Sequence, residues 1–309
     1  MGSALSKKYR ELDAQTCGLD VRADPSSGVV AGDVSKPDEW QETINGCDLV
    51  IHTAAIVTNN VSREEAWRVN VLGTRRVLDA AIRASVKRFV HISSLAAMRF
   101  ILEDQADERA PVMPTGNPYV DTKIASEQTV LAAHAAGEIS CTIIRPADVY
   151  GPGSRPWTLL PVQMIQKSLF LLPAHGKGVF RAIYIDDLVE GVMLAAEKDK
   201  GIGQIFILGG EKSVTCETFF GYYHRMLGKG APHTMSTSSA VAIVEIGRML
   251  FTLLGKQTEL GRGAMEMLSK RNTMSNAKAH QLLGWQPQVD LDEGMRRTEV
   301  WLREQKILK

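Results

Sequence analysis

The segment that decides the fold is Arg88-Phe89-Val90-His91-Ile92-Ser93-Ser94, followed downstream by Asn117-Pro118-Tyr119-Val120-Asp121-Thr122-Lys123. The first part is an apolar run that ends in two hydroxyl side chains, which predicts a buried strand over residues 86–94. The second part begins with Asn and Pro, which favour the start of a helix. On that helix Tyr119 and Lys123 are four residues apart and therefore share a face.

A phenol and an ammonium on one helix face can carry out proton chemistry. The positive charge stabilises a phenolate and so lowers the pKa of the phenol towards working pH. A serine at the end of the nearby strand could hydrogen-bond the same substrate oxygen, and the three groups would move a proton on or off a carbinol. The alternative is a solvated helix pair, because Tyr followed by Lys at this distance is frequent by chance.

The order of the elements indicates the fold class. Predicted strands at residues 16–20, 28–34, 48–55 and 140–146 alternate with predicted helices, such as one over residues 37–46, with Pro37 near its start, and a long amphipathic helix over residues 63–84. This spacing predicts an α/β protein with a doubly wound parallel sheet. The alternation changes near Gly151. We therefore expect a dinucleotide-binding domain over residues 1–150 and mainly a substrate-binding subdomain over 151–309, with some strands returning to the main sheet.

Three further phrases accompany the tyrosine and lysine. They are Asn70-Val71-Leu72-Gly73-Thr74, Arg145-Pro146-Ala147-Asp148-Val149-Tyr150-Gly151-Pro152-Gly153, and the terminal K-A-H-Q-L-L-G-W-Q-P at 278–287. Together with the strand, the serine and Tyr-x-x-x-Lys, they resemble the extended short-chain dehydrogenase/reductase superfamily, which includes the NAD-dependent epimerase/dehydratase family. The resemblance covers nearly the whole chain, from Gly2 to about Arg303.

The resemblance implies a catalytic set of Ser94, Tyr119 and Lys123, with Ser93 as the alternative serine. Tyr119 would be the general base for oxidation of an alcohol and the general acid for reduction of a ketone. Lys123 would lower the pKa of the phenol and hold the nicotinamide ribose, and Ser94 would bond the reacting oxygen. Hydride would be exchanged with a nicotinamide cofactor.

The resemblance also implies how the cofactor is bound. Gly2 stands where the last glycine of the dinucleotide fingerprint belongs, and Asp20 follows it by 18 residues, close to the usual ~20. A carboxylate there accepts from the ribose 2′-hydroxyl and favours NAD, although Arg22 leaves NADP possible. The first strand and the other two fingerprint glycines do not precede Gly2, and we interpret this as a truncated start.

Other cofactor contacts are implied by position in the family pattern. The expected contacts to the adenine, the dinucleotide backbone and the nicotinamide region are Asp33, Val34, Thr53, Ala54, Ala55, Asn70, Ser93, Pro146 and Val149, in addition to Tyr119 and Lys123. Asn70 also has a plainer interpretation as a buried amide that bonds backbone.

The C-terminal half bears on the substrate. In nucleotide-sugar members an arginine clamps the diphosphate, and the matching position here is Phe180, with Arg181 one residue away. Residues 238–254 are largely apolar and predict a core helix or a lid over a sterol-sized substrate, with membrane contact as a less favoured alternative. Asp186 and Asp187 are expected to cap the helix that follows residue 185.

These features look most like the 3β-hydroxysteroid/sterol dehydrogenase branch, which implies an apolar alcohol or ketone as substrate. A nucleotide-sugar epimerase or dehydratase is one alternative, because hydride chemistry is shared. A non-catalytic relative that senses dinucleotide is another. A homodimer is possible by analogy with the family.

Composition narrows the partners. Lys and Arg total 36 against 35 Asp and Glu, a net charge of +1, so no basic field is present to hold nucleic acid. The four cysteines are widely spaced and do not predict a metal site or a disulfide framework. The N-terminal residues lack a signal-peptide pattern, so we expect a cytoplasmic protein.

Overall fold

The computed structural model describes residues 1–58, 61–98, 104–253 and 261–308. The strands, in chain order, are β1 (Gly18–Asp20), β2 (Val29–Ala31), β3 (Leu49–His52), β4 (Arg88–Ile92), β5 (Ser140–Pro146), β6 (Asp148–Tyr150), β7 (Leu171–Leu172), β8 (Val179–Phe180), β9 (Ala182–Tyr184), β10 (Ile205–Leu208), β11 (Val214–Thr215) and β12 (His233–Thr234). The helices are α1 (Gly2–Arg10), α2 (Arg63–Trp67), α3 (Gly73–Arg83), α4 (Pro118–Ala135), α5 (Leu160–Gln166), α6 (Ile185–Glu197), α7 (Cys216–Met226), α8 (Thr237–Leu253), α9 (Arg262–Leu268), α10 (Ala277–Leu283) and α11 (Leu291–Glu304). Leu254, the expected end of the apolar helix, lies outside the described residues.

A four-stranded parallel sheet in the order β10-β5-β4-β3 forms the centre of the molecule. Neighbouring residues of β4 face opposite sides, so that Phe89 packs in one apolar core and Val90 in the other. Helices α3 and α4 cover the first side, and α1 and α6 cover the second. Both faces of the sheet are therefore buried, which explains the nearly continuous apolar runs of its strands. The predicted α/β fold with a doubly wound parallel sheet is confirmed.

Strands β1 and β2 form a parallel pair of their own. The expected helix over residues 37–46 is wrong: this segment makes two short 3-10 turns, Pro37–Glu39 and Gln41–Ile44. The cause is Trp40, which is buried, has a non-helical φ of −148° and donates its indole N–H to the Asp33 carbonyl at 2.7 Å. Anchoring the indole there interrupts the helix.

The long helix predicted over residues 63–84 is also interrupted. Between α2 and α3 the chain widens into a π-turn over Arg68–Leu72. Asn70 lies in this turn, and its amide group exchanges hydrogen bonds with the backbone of Ile56 at 2.7 and 3.1 Å. Such local widening commonly occurs where a helix positions a side chain. Here it holds the segment after β3 against the helix.

The C-terminal half packs around an aromatic cluster. Phe180 stacks on Phe219 with ring centroids 3.9 Å apart, and Trp157 and Phe220 meet Phe180 at 5.0 and 5.3 Å. Strand β10 comes from this half and pairs with β5 in the main sheet. Within the described part of the chain, no helix is long and apolar enough to cross a membrane.

The expected Asp cap of α6 is wrong. Tyr184 is the N-cap residue of α6 and makes no side-chain cap bond. The buried Asp187 instead accepts the backbone N–H groups of Gln288 and Val289 at 2.8 and 3.0 Å. Its carboxylate therefore fastens the segment before α11 to α6.

Candidate active site

A cavity of about 600 Å³ opens at the carboxyl ends of the parallel strands. One end is lined by residues that follow β3, by Ile92, Ser93 and Ser94 at the end of β4, by Tyr119 and Lys123 of α4, and by Pro146 at the end of β5. This is where ligands bind in open parallel sheets. The other end is lined largely by apolar side chains of the C-terminal half.

The end of β4 is bonded to α4 at three successive residues. The Ser94 hydroxyl is hydrogen-bonded to the Tyr119 phenol, the Ile92 carbonyl accepts from Lys123 Nζ at 2.7 Å, and the Ser93 hydroxyl donates to Glu127. Because the three helix residues are spaced by four, they form one stripe along α4. The structure thus brings Ser94, Tyr119 and Lys123 together as the sequence predicts.

The start of α4 fixes the position of the tyrosine. Asn117 is the N-cap, and its side-chain oxygen accepts from the backbone N–H groups of Tyr119 and Val120 at 3.0 and 3.2 Å. Pro118 occupies the first helical position, where its fixed φ is already suitable. The helix therefore begins one residue before the phenol and sets its direction into the cavity.

The electrostatics of the phenol differ from the sequence-based expectation. Burial raises the pKa of Tyr119, and the hydrogen bond from Ser94 opposes that effect. Lys123 does not lower it as expected, since its ammonium is directed to the Ile92 carbonyl. The phenol is therefore protonated at neutral pH, which is the form that can donate a proton to a ketone oxygen.

Lys123 is almost fully buried, with 4% of its surface exposed. Burial lowers its pKa to about 8, while the nearby Glu127 carboxylate acts in the opposite direction. Neutral pH lies only slightly below this pKa, so the ammonium is still mostly protonated there. A buried cation of this kind is a feature of functional sites.

The Ser93 hydroxyl belongs to a buried network of hydrogen bonds. Its hydroxyl donates to Glu127, and Glu127 is fully buried and accepts both a 2.9 Å and a 2.7 Å hydrogen bond from Arg145 on β5. This arrangement supports Ser94 over Ser93 as the serine that meets the substrate. Glu127 was not among the predicted site residues, although its position four residues after Lys123 places it on the same helix face.

Several predicted cofactor residues lie at the cavity. Thr53, Ala55, Pro146 and Val149 line it, as do Met1 and Ser3 on either side of Gly2. A Cβ atom at Gly2 would meet Thr53 Oγ1 at 3.1 Å, so the glycine allows the start of α1 to approach the end of β3 closely. Small residues and a helix N-terminus at this edge fit a dinucleotide, whose pyrophosphate would lie at the helix N-terminus.

Other predicted cofactor residues lie away from the cavity. Asp20, exposed at the end of β1, accepts from the Arg22 backbone N–H at 3.1 Å. Asp33 forms an ion pair with Arg68 at 3.0 Å. Val34 is buried and packs near Gly73. Ala54 packs against the core on the α3 side. Asp20, Arg22, Asp33, Val34 and Ala54 stay predictions as cofactor contacts.

Asn70 also lies outside the cavity lining. Besides the Ile56 backbone, its amide N–H donates to Thr122 Oγ1 at 3.0 Å, on the helix that carries Tyr119 and Lys123. The plainer interpretation of this side chain, a buried amide that bonds backbone, describes its contacts. It joins α4 to the segment that follows β3.

The match to known families agrees with this geometry. Residues 1–209 match the model of the NAD dependent epimerase/dehydratase family. The chain belongs to this family, whose members include NAD-dependent dehydrogenases, dehydratases and epimerases. It is therefore an enzyme of the extended short-chain dehydrogenase/reductase type with NAD as cofactor.

Individual relatives differ in what they act on. The chain is 27% identical to the 4-hydroxy-2-methyl-3-oxo-4-farnesyl-3,4-dihydroquinoline-1-oxide ketoreductase of Stigmatella aurantiaca, over 86% of this chain and 80% of that protein. It is 26% identical to the 3beta-hydroxysteroid-dehydrogenase/decarboxylase isoform 1 of Arabidopsis thaliana, over 87% and 65%. The fold is similar to that of DesIV, a dTDP-glucose 4,6-dehydratase from Streptomyces venezuelae solved with NAD and TYD bound, with a TM-score of 0.78, 22% identity and coverage of 99% and 94%.

Proposed function

We propose that this enzyme oxidises the hydroxyl group of an apolar, 3β-hydroxysteroid-like alcohol, or reduces the corresponding ketone, at the cavity beside Tyr119. The observation that carries the proposal is the lining of the substrate end. It consists largely of aromatic and aliphatic side chains, namely Trp157, Leu160, Met164, Phe170, Phe220, Val244, Met265 and Leu268. Burying a rigid apolar ligand there is favourable at roughly 25 cal/mol per Å² of apolar surface.

The position of Phe180 supports an apolar substrate over a nucleotide sugar. In the sugar-nucleotide pattern this position holds the arginine that clamps a diphosphate. Here Phe180 is 1% exposed and stacked in the aromatic cluster. A phenyl ring offers no charge or hydrogen bond to a phosphate, so the cavity lacks that particular clamp.

The names of two relatives point the same way. The Stigmatella ketoreductase acts on a farnesylated dihydroquinoline oxide, and the Arabidopsis relative on a 3β-hydroxysteroid. Both substrates carry a large hydrocarbon part. A cavity lined as this one is suits such molecules.

The chain's own groups then divide the proton chemistry. Bound NAD supplies the hydride acceptor, or its reduced form the donor. Ser94 hydrogen-bonds the reacting oxygen and holds it at the Tyr119 hydroxyl. The protonated Tyr119 gives its proton to a ketone, and in the oxidation direction its ionised form takes the proton from the alcohol. The Lys123 ammonium, fixed by the Ile92 carbonyl, would hold the nicotinamide ribose.

The direct test compares substrate classes. The protein is incubated with NAD and dehydroepiandrosterone, UDP-glucose or dTDP-glucose, and formation of NADH, keto products and epimeric sugar nucleotides is measured. We expect turnover of the steroid alone. Turnover of only the sugar nucleotides would overturn the proposal in favour of epimerase or dehydratase chemistry. Binding of NAD without any turnover would favour the non-catalytic alternative.

Two finer expectations remain predictions. A homodimer would be seen by sedimentation as a particle of twice the monomer mass of 33.9 kDa. A cytoplasmic location would be seen by fractionation of the producing cell.

A further inference from the structure

The substrate end of the cavity is lined mostly by apolar side chains, but basic side chains also reach it. Among the described residues that line it, the basic side chains beyond Lys123 are Arg155, Arg181 and Lys270, and the one carboxylate is Asp148. An apolar cavity has no need of cations to bind a hydrocarbon. A guanidinium taken partly out of water is costly unless an anion or acceptors compensate it.

Arg181 is the cation whose hydrogen-bonding capacity is least used. Its Nη1 donates to the Asn272 carbonyl at a long 3.3 Å. Its Nε is buried, and neither Nε nor Nη2 has a hydrogen-bond partner among the described residues. No carboxylate in that part of the chain lies within ion-pair distance of it. The buried Nε cannot be reached from the cavity, whereas Nη2 is not among the buried atoms and has no acceptor in the described part of the chain, so Nη2 can donate to an anion there.

Asp148 does not supply that acceptor. Its Oδ2 atom accepts the backbone N–H of Arg181 at 3.2 Å. Burial raises the pKa of Asp148, and the charge of Arg181 opposes the effect without cancelling it. The two side chains therefore interact electrostatically without forming a salt bridge. The guanidinium can still bind another anion.

The backbone explains why Arg181 faces the cavity. Successive residues of an extended chain point to opposite sides. Phe180 is directed into the aromatic cluster, and Arg181, the next residue, lines the cavity. Asp148 and Ala182 are paired in adjacent strands, which fixes the register of this turn. The guanidinium is thus held by the fold rather than by a mobile loop.

We propose that Arg181 binds a carboxylate of the substrate, so that the preferred substrate is an apolar hydroxy acid or its keto counterpart rather than a neutral sterol. The inference rests on the proposed function for the reacting hydroxyl, and adds a second recognition point within the same cavity. A guanidinium N–H and a carboxylate meeting away from water form a charge-assisted hydrogen bond. A contact of this kind corresponds to about 10- to 100-fold in affinity.

The test uses matched acids and esters. The probes are 3β-hydroxy-5-cholenoic acid and 3β-hydroxy-5-etienic acid, each beside its methyl ester, so that the acids place the carboxylate at two distances from the hydroxyl. Binding is measured by calorimetry in the presence of NAD, and kcat/KM by NADH formation. For the wild type we expect one of the acids to be preferred over its ester by about 10- to 100-fold.

Arg181→Met removes the guanidinium and should reduce this preference to about one. Arg181→Lys, which keeps the charge without the planar guanidinium, should restore part of it. Arg271→Met is the matched control: Arg271 is exposed, does not line the cavity, and its loss should leave the preference intact. Melting temperatures of all variants establish that each is folded.

The outcomes separate the two proposals. Preferred binding of an acid that depends on Arg181 supports the inference, even if no probe is turned over and the proposed reaction fails. Turnover of esters and acids alike, with no effect of Arg181→Met on their ratio, overturns the inference while the proposed reaction stands. Equal binding of acids and esters by the wild type overturns it directly.

Discussion

The buried charge of Lys123 should lower the free energy of unfolding of the protein. The pKa of Lys123 falls from the ordinary value of 10.5 to about 8 on folding, mainly because of burial. Keeping the ammonium protonated inside the folded protein at pH 7 therefore costs about 2.5 × 1.36, or roughly 3 kcal/mol. Lys123→Met removes the charge while keeping most of the apolar stem. The substitution also leaves the Ile92 carbonyl without its donor, at about 1–3 kcal/mol.

The pH dependence isolates the charge from the lost hydrogen bond. Between pH 8 and 10.5 the unfolded chain keeps the Lys123 proton and the folded protein releases it, so the stability of the wild type rises with pH in this window. The variant lacks this contribution. The free energy of unfolding of the variant minus that of the wild type should thus be roughly 3 kcal/mol more favourable at pH 7 than at pH 10.5.

The assay is urea denaturation of both proteins at several pH values, with Lys167→Met as a control. Lys167 is exposed, and its removal should give a difference that does not change with pH. At the same time Lys123→Met should lose turnover. A stability difference between wild type and Lys123→Met that is constant from pH 7 to 10.5 would refute the argument that burial disfavours the charged form of Lys123.

Three other substitutions test the framework. Glu127→Gln breaks the buried ion pair with Arg145 (2.7 Å), and urea denaturation should show a free energy of unfolding that is lower by about 3–5 kcal/mol. A decrease of less than about 1 kcal/mol would contradict the burial of this ion pair. Burial lowers the pKa of His52 from 6.5 to about 3, so the stability that a neutral His52 contributes is present above pH 6.5 and is lost as the pH falls towards 3. His52→Gln should therefore flatten the acid limb of the stability curve by on the order of 5 kcal/mol. Equal acid limbs would contradict it. Asp187→Ala removes the acceptor of the Gln288 and Val289 amides and should cost about 3 kcal/mol in urea, whereas the exposed Asp199→Ala should cost little.

Local patterns were enough to predict the buried strand β4 and the shared helix face of Tyr119 and Lys123. The apolar run before Ser93 and the Asn-Pro signal before Tyr119 depend on residues close in sequence, and the structure places them as predicted. The spacing of four between Tyr119 and Lys123 likewise fixes a shared helix face. What these patterns could not give is burial, which depends on packing from the whole chain. Burial, rather than the neighbouring ammonium, sets the direction of the Tyr119 pKa.

The errors share one physical cause. Asp187 was predicted to cap a helix because a cap depends only on residues nearby in sequence. Its partners Gln288 and Val289 instead lie about a hundred residues away in sequence. Trp40 interrupts a helix because its indole finds the Asp33 carbonyl. Asp148 and Arg181 become neighbours through the pairing of β6 and β9. Because that pairing joins residues distant in sequence, local patterns could not predict which side chains line the cavity.

The central claim is that the Tyr119 hydroxyl moves the proton at a carbinol held beside NAD. The most direct measurement is the kcat of Tyr119→Phe with a steroid alcohol, together with the affinity for NADH by fluorescence titration. The account predicts a kcat lower by about 10²–10⁴-fold with NADH affinity within a few-fold of the wild type. An undiminished kcat in a variant that still binds NADH would contradict it.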